Sequence, residues 1–368
     1  VDCLDQIMTI ERNQRKLLTA QGQISLEQAV EEMEQSARKN GQLKKQTTIE
    51  KENKALSYIK GLHAFHMKVE EMCLEMDGEE FGGAFWKYIY RPISRADDAQ
   101  AMRMRKVRDD CRKLFSVYST KELALMGTKK EFVPSIGESL TYENRLAIAL
   151  NMGNAVNRER VLSGHKWDDR QLKDVLAPLT ARDWNFVQSV WDYFETFKAE
   201  SFKLEEDITG SKPVAVEAQP FTVQTSDGQT LPIRGGYYPI KYNRDKSFKQ
   251  FARDQKEMDK ELFGGRNYGQ AMTKHGHLKD RTKYGLGEPL LMELSVIPDH
   301  LYNTVHDLAY RRAVLDVAKV LRNDRVRGAI EGYYGKEIYR ELMPWLQDVS
   351  NEMQQPFGQI QRWAHWAR

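Results

Sequence analysis

Cysteine is scarce: the 368 residues hold three, Cys3, Cys73 and Cys111, far apart and in no CxxC spacing. That excludes a disulfide framework and a thiolate zinc knot, and points to free thiols in a reducing compartment. An excess of charge of one sign is lacking too, since 56 Lys and Arg stand against 53 Asp and Glu for a net of +3. A surface that binds nucleic acid over its whole extent is thereby excluded, although a local patch is not. No apolar run approaches the roughly 20 residues of a membrane-spanning helix. Three catalytic spacings are missing as well: no GK[ST] follows a glycine-rich turn, no GxSxG elbow occurs, and no HExxH pairs two histidines on a helix.

What is present reads mostly as helix. Charged residues make up 30% of the chain and mean hydropathy is −0.66, so a large polar surface must cover whatever core forms. Helical patterning runs from Asp2 to about Leu18, from Leu26 behind the cap Ser25 to about Gly41, and from about Ile49 with Leu56, Ile59, His63, Met67 and Met72 on one stripe. Gly82-Gly83 and Arg91-Pro92 interrupt the pattern, which resumes from about Asp97 to Tyr118. After a loop at Pro134 to Gly137, Thr141 caps a helix expected to reach Leu162, Trp167 to Val175 forms a short one, and Thr180 with Asp183 caps another bearing Trp184, Val187, Val190, Trp191 and Phe194. That aromatic stripe is core rather than a base-stacking platform, because it is not set among basic residues on a sheet or loop. Gly210 to Pro220 is a linker. Beyond it come a helix from Ser247 to Phe263, a glycine-rich basic loop, an extended piece at Leu290 to Val296, and helices from Pro298, Asn323-Asp324 and Lys336. The expected fold is mainly α: a multi-helix bundle with one inserted β-hairpin, a helical region at 1–210, and a hairpin-plus-helix region at 211–368 packed onto it as one unit.

The hairpin is the clearest β signal, over Phe221 to Tyr242. A two-residue loop at Asp227-Gly228 would set Val223 opposite Pro232 and scatter the apolar side chains over both faces. A three-residue loop, Ser226-Asp227-Gly228 with Gly228 left-handed, instead pairs Val223 with Leu231 and Phe221 with Ile233 on one face. Gly235 and Gly236 then permit close backbone approach, and Tyr237, Tyr238 and Pro239 fix an extended exit.

The second informative stretch is LAIALNMGNAVNRERV, Leu146 to Val161. Asparagine is a poor helix former, so Asn151, Asn154 and Asn157 within seven residues require a reason. One reason is a buried hydrogen-bond network tying this helix to its neighbours, the GGYYP backbone among them. The other is a polar ligand site, whose residues would be Asn151, Asn154, Asn157 and Arg158 with Gly235, Gly236, Tyr237 and Tyr238.

A basic helix face carries Arg103, Arg105, Arg108, Arg112 and Lys113, interleaved with Asp109 and Asp110. A solvated helix face is the plain reading and phosphate contact the functional one, joined by the basic loop at 266–283. Among eight histidines, His275 and His277 form an HxH pair near Asp280, while His300 and His306 fall on the long helix. HxH suits two ligands from an extended segment, but nothing completes a site, and no metal or other cofactor is expected. The closing GQIQRWAHWAR is an aromatic amphipathic stretch without a cap, as expected of a segment of something longer.

Taken together, Leu140 to Leu162, LTARDWNFVQSVWDYF at Leu179 to Phe194, TSDGQTLPIRGGYYPIKYN at Thr225 to Asn243 and HLYNTVHDLAYRRAV at His300 to Val314 resemble a segment of the very large polyvalent proteins of bacteriophages and conjugative elements. The resemblance spans roughly Leu140 to Trp345. It implies a helical, non-enzymatic domain of a phage or mobile-element protein, co-delivered with DNA into the host cell or related to internal virion proteins of DNA ejection. No catalytic residues come with it. The implied partners are other domains of the same polypeptide or other virion proteins, with weak DNA contact and no membrane span. The implied location is the virion, then the host cytoplasm. A nucleic-acid-binding module and an uncharacterised hydrolase using His275 and His277 are the alternatives.

Overall fold

The structure is a computed structural model, and it describes residues 2–19, 24–44, 65–243 and 287–351. The stripe residues Leu56, Ile59 and His63, the helix expected at Ser247 to Phe263, the basic loop with His275 and His277, and the closing aromatic stretch lie outside the described residues. Those described are mainly α, as expected, with two small antiparallel hairpins.

The first described helices are α1 (Asp2–Gln14), α2 (Leu26–Lys44) and α3 (Phe65–Met76). A π turn at Trp86–Tyr90 then runs directly into α4 (Arg91–Phe115), Arg91 N donating to Trp86 O five residues back, and Pro92 stands at the join. Arg91-Pro92 thus marks a π distortion within a continuous helical run rather than a break in it. Gly41 does not break α2 either; a β-carbon there would come within 2.5 Å of Tyr333 Cβ, so the glycine serves a close crossing.

Next come α5 (Thr120–Met126), the hairpin strands β1 (Lys130–Val133) and β2 (Glu138–Thr141), then α6 (Tyr142–Leu150), α7 (Ala155–His165), α8 (Asp169–Leu176), α9 (Ala181–Glu195) and α10 (Lys198–Thr209). Side chains at the N-termini start several of these. Ser119 with Glu122, Thr141 with Asn144, Asp168 with Gln171 and Thr180 with Asp183 each form a reciprocal capping box. The second hairpin, β3 (Phe221–Gln224) with β4 (Thr230–Ile233), pairs Phe221 with Ile233 and Val223 with Leu231. Gly228 has φ +80° and donates its amide to Thr225 O at 3.0 Å, so the three-residue loop and its register are as expected. The last described elements are α11 (Val296–Arg322), α12 (Asp324–Tyr333) and α13 (Lys336–Asn351), which contains Pro344.

Two apolar cores result. One gathers Leu146, Leu150, Trp184, Trp191, Phe194, Ile233 and Tyr238 with Leu294 and Leu301. The other gathers Val30, Met33, Phe85 and Ile89 from the start of the chain with Val317, Ile330, Trp345 and Leu346 from its end. Each fully buried aliphatic or aromatic side chain contributes about 1.5–3 kcal/mol. Helices α4 and α11 pass from one core to the other, and they run antiparallel: Tyr310 bonds Asp97 (3.0 Å) while His306 meets Gln100 (3.2 Å). Buried polar groups fasten the second core. Asp316 accepts from Leu18 N, Thr19 N and Thr19 Oγ1, each at 2.7 Å, and Asp77 accepts from Ser36, Phe85 N and Trp86 N.

Candidate functional site

The run from Leu150 to Asn157 is where the helical body meets the second hairpin. Asn151 ends α6, its amide donating back to Ala147 O at 2.8 Å. One 3-10 turn follows, and Asn154 is extended (φ −149°, ψ 157°) with its Oδ1 accepting from Asn157 N at 2.9 Å, which starts α7. The single helix expected from Thr141 to Leu162 is therefore two. Asparagine's short side chain offers the backbone a cap in place of a helical bond, and here that alternative wins.

The asparagines then grip the hairpin. Asn157 Nδ2 donates to Asn151 Oδ1 (3.1 Å) and to Tyr238 O (2.9 Å), so both of its amide protons are engaged, and Asn154 Nδ2 reaches Gly236 O at 3.3 Å. Gly153 O accepts from Gly236 N (2.8 Å) and from Gln219 N (2.9 Å), and Trp191 Nε1 donates to Leu150 O at 2.9 Å. All three asparagines are buried. Of the two reasons offered for them, the structure contains the network, docked on the GGYYP backbone. Tyr238 is buried against Phe194, and loss of solvent pushes its phenol well above the usual range; Tyr237 packs between Phe194 and His300. Arg158 takes no part, since it points outward and pairs with Asp169. Arg160, not singled out in the sequence, is the buried arginine of this node and donates to the Tyr242 hydroxyl. Its place three residues beyond Asn157, on the same helix face, is the signal that would have found it.

The basic face of α4 is largely self-neutralised. Arg103 forms two bonds to the Glu200 carboxylate (2.6 and 2.8 Å), Arg112 pairs with Asp109 (3.2 Å) and Lys113 with Asp110 (3.7 Å). Arg105 and Arg108 are exposed and have no acidic partner among the described residues. Of the histidines, His306 is buried between Gln100 Oε1 and Ser350 O, and His300 lies edge-on to Phe194. Among the described residues no group of three or more His, Cys, Asp or Glu is placed to hold a metal ion.

A surface groove of about 920 Å³ is a feature that the sequence did not reveal. Its walls are one stripe of α4 from Lys106 to Leu114 with Val117 just beyond it, and one stripe of α9 from Ala181 to Tyr193 with Thr196 just beyond it, with Asp227 and Gln229 of the hairpin tip alongside. Residues some 70 positions apart make it, so no local pattern announces it. The tip is latched to α9: Ala181 N donates to Asp227 Oδ1 (3.0 Å) and Ser226 N to Leu179 O (2.9 Å). Below the rim, the buried Asp183 carboxylate accepts from Tyr118 (2.7 Å), Tyr142 (2.5 Å) and Thr180 Oγ1 (2.6 Å), tying α9 to the elements beneath it. Arg182 lies over the Tyr118 ring and pairs with Glu122 at 2.8 Å. The Ser119 backbone amide, Arg182 and the Ser119 hydroxyl hold the Glu122 carboxyl down at about 2.

Comparison with protein-family models, with curated proteins and with solved structures found no match to this chain. No described helix is long and apolar enough to cross a membrane.

Proposed function

We propose that this chain is a non-catalytic structural and interaction module of a very large phage or mobile-element protein, carried in the virion and delivered with DNA into the host cytoplasm. Its partners are other domains of the same polypeptide or other virion proteins. One observation carries the reading: the polar cluster with the strongest chemical promise, Asn151, Asn154 and Asn157, is buried and engaged with backbone carbonyls of Ala147, Gly236 and Tyr238. Side chains so engaged hold a hairpin in place, and Asn157 has both amide protons committed to it and to Asn151. The motif resemblance over Leu140 to Trp345 supplies the parent class.

The test is the reading frame and the particle. A frame thousands of residues long with methyltransferase or helicase motifs beside this chain, and its peptides in purified virions by mass spectrometry, are the expected results. Turnover of a substrate by the isolated chain would end the reading.

A nucleic-acid-binding role is the second reading, favoured by the exposed Arg105 and Arg108, which have no acidic partner among the described residues. With the neighbouring cations already paired to Glu200, Asp109 and Asp110, it supports weak, salt-sensitive contact only.

A further inference from the structure

The loop from Asp77 to Ala84 joins α3 to the π turn and displays Phe81, at 76% the most exposed large apolar side chain among the described residues. A lone exposed phenylalanine is ordinary, but this one stands on a loop built to hold it. The Asp77 carboxylate accepts from Phe85 N (3.0 Å), Trp86 N (2.7 Å) and Ser36 Oγ (2.9 Å), so one buried side chain ties both ends of the loop together and to α2. Glu79 N closes onto Leu74 O at 2.7 Å and Gly83 N onto Glu80 O at 3.3 Å. Gly78, Glu79 and Gly82 have φ +72°, +65° and +93°, and Glu79 holds that left-handed conformation without a glycine's freedom. The ring thus projects from a fixed base. Enclosing it would cost little further ordering, which is the property of an interface anchor.

Charge selects what the ring meets. From Val69 to Trp86 the sequence has six Asp and Glu and no Lys, Arg or His. Glu71, Glu79 and Glu80 are exposed and have no cationic partner among the described residues. Their placement is unfavourable in the free chain. Glu71 and Glu75 stand four apart on α3, where like charges repel. Glu75 lies in the last turn of that helix, which has no basic residue, and Glu79 and Glu80 follow its C-terminus, where the helix dipole already concentrates negative charge. An anionic bilayer or a phosphate backbone would be repelled here, whereas a cationic protein surface relieves the repulsion. We infer that the Asp77–Ala84 loop is a docking knob: the Phe81 ring enters an apolar pocket on a basic partner protein, and Lys and Arg at the rim of that pocket meet Glu71, Glu79 and Glu80. The inference rests on the interaction-module reading and names the partner's chemistry.

The test pans the intact chain against a displayed library of random 20-residue peptides, then titrates the enriched peptides, fluorescently labelled, by anisotropy at physiological salt. Enriched sequences should set Lys and Arg around Leu, Ile, Phe or Trp. They should bind Phe81→Ser about tenfold or more weakly, and the Glu71→Gln/Glu79→Gln/Glu80→Gln triple variant similarly. All four substituted side chains are exposed, so Phe81→Ser should melt with the parent, and the triple variant, with its repulsion relieved, no lower than the parent. A melting temperature lowered in either variant would show those side chains to be structural and would overturn the inference. Peptides that bind both variants as tightly as the parent, enrichment without basic residues, or no enrichment would overturn it too. Each of these results leaves the module reading standing, because that reading is decided by the reading frame and the particle. Sedimentation with phosphatidylcholine vesicles that Phe81→Ser abolishes would assign the ring to a bilayer instead.

Discussion

Gly236 donates its amide to the Gly153 carbonyl over 2.8 Å, and neither residue has room for a side chain. A β-carbon on Gly153 would stand 2.5 Å from Gly236 O, and one on Gly236 would stand 2.5 Å from Trp191 Cβ. Hairpin and helical body therefore meet backbone to backbone, with an indole closing the gap.

Gly236→Val forces that contact apart. Backbone and indole are both rigid partners, so the variant should lose about 2 kcal/mol or more, seen as a clear drop in the thermal midpoint. A melt superimposable on the parent's would refute the close-approach account.

The asparagines should rank by what each leaves behind. Asn157→Ala strands the Tyr238 carbonyl and Asn151 Oδ1, and Asn154→Ala removes both the α7 cap and a bond to Gly236 O; each should cost about 1–3 kcal/mol in urea unfolding. Arg158→Ala breaks only an exposed pair with Asp169 and should cost less than about 1 kcal/mol. Equal losses for all three variants would contradict the network.

Glu122 makes a pH prediction. Its carboxyl is held at about 2 in the fold against an ordinary 4.5, so its stabilisation is complete above 4.5 and is lost as pH falls through about 2. Glu122→Gln mimics the protonated state. Its stability deficit relative to the parent, measured by urea unfolding, should be constant above pH 5 and shrink between 4.5 and 2. A deficit unchanged across that window would show that the charge contributes nothing.

DNA binding, if present, should be weak. Affinity measured by anisotropy should fall steeply from low to physiological salt as counterion release is opposed, and charge reversal of Arg105, Arg108 and Arg112 together should abolish it. Tight binding at physiological salt that this triple reversal removes would promote the nucleic-acid reading to first.

The hairpin register could be read from the chain because Phe221, Val223, Leu231 and Ile233 must share a face, and one loop length alone achieves that. The caps at Thr141 and Thr180 were legible for a similarly local reason, a side chain three residues from its partner. The first hairpin was not. Of KEFV and ESLT, Val133 turns inward with Leu140 and Thr141 while Phe132 is exposed, so no alternation marks the strands. The break at Asn151 to Asn154 also escaped, although its Asn154 cap on Asn157 N is just as local, because the apolar stripe of Leu146, Leu150 and Gly153 reads on through it and the hairpin carbonyls that these side chains meet lie some 80 residues away. The groove escaped for the same reason, being made by the separation of two helices rather than by any run of residues.

The second core has a consequence for how the chain is made. Val30, Met33, Phe85 and Ile89 have their packing partners in Val317, Ile330, Trp345 and Leu346. On a ribosome adding about 5–20 residues per second, the opening helices leave the exit tunnel roughly 10–40 s before those partners exist. The first core, drawn from Val107 to Val305, is complete before them. Synthesis thus passes through a stage at which the middle of this stretch is finished while its opening helices still wait with apolar faces uncovered, the stage at which a holdase chaperone has most to protect.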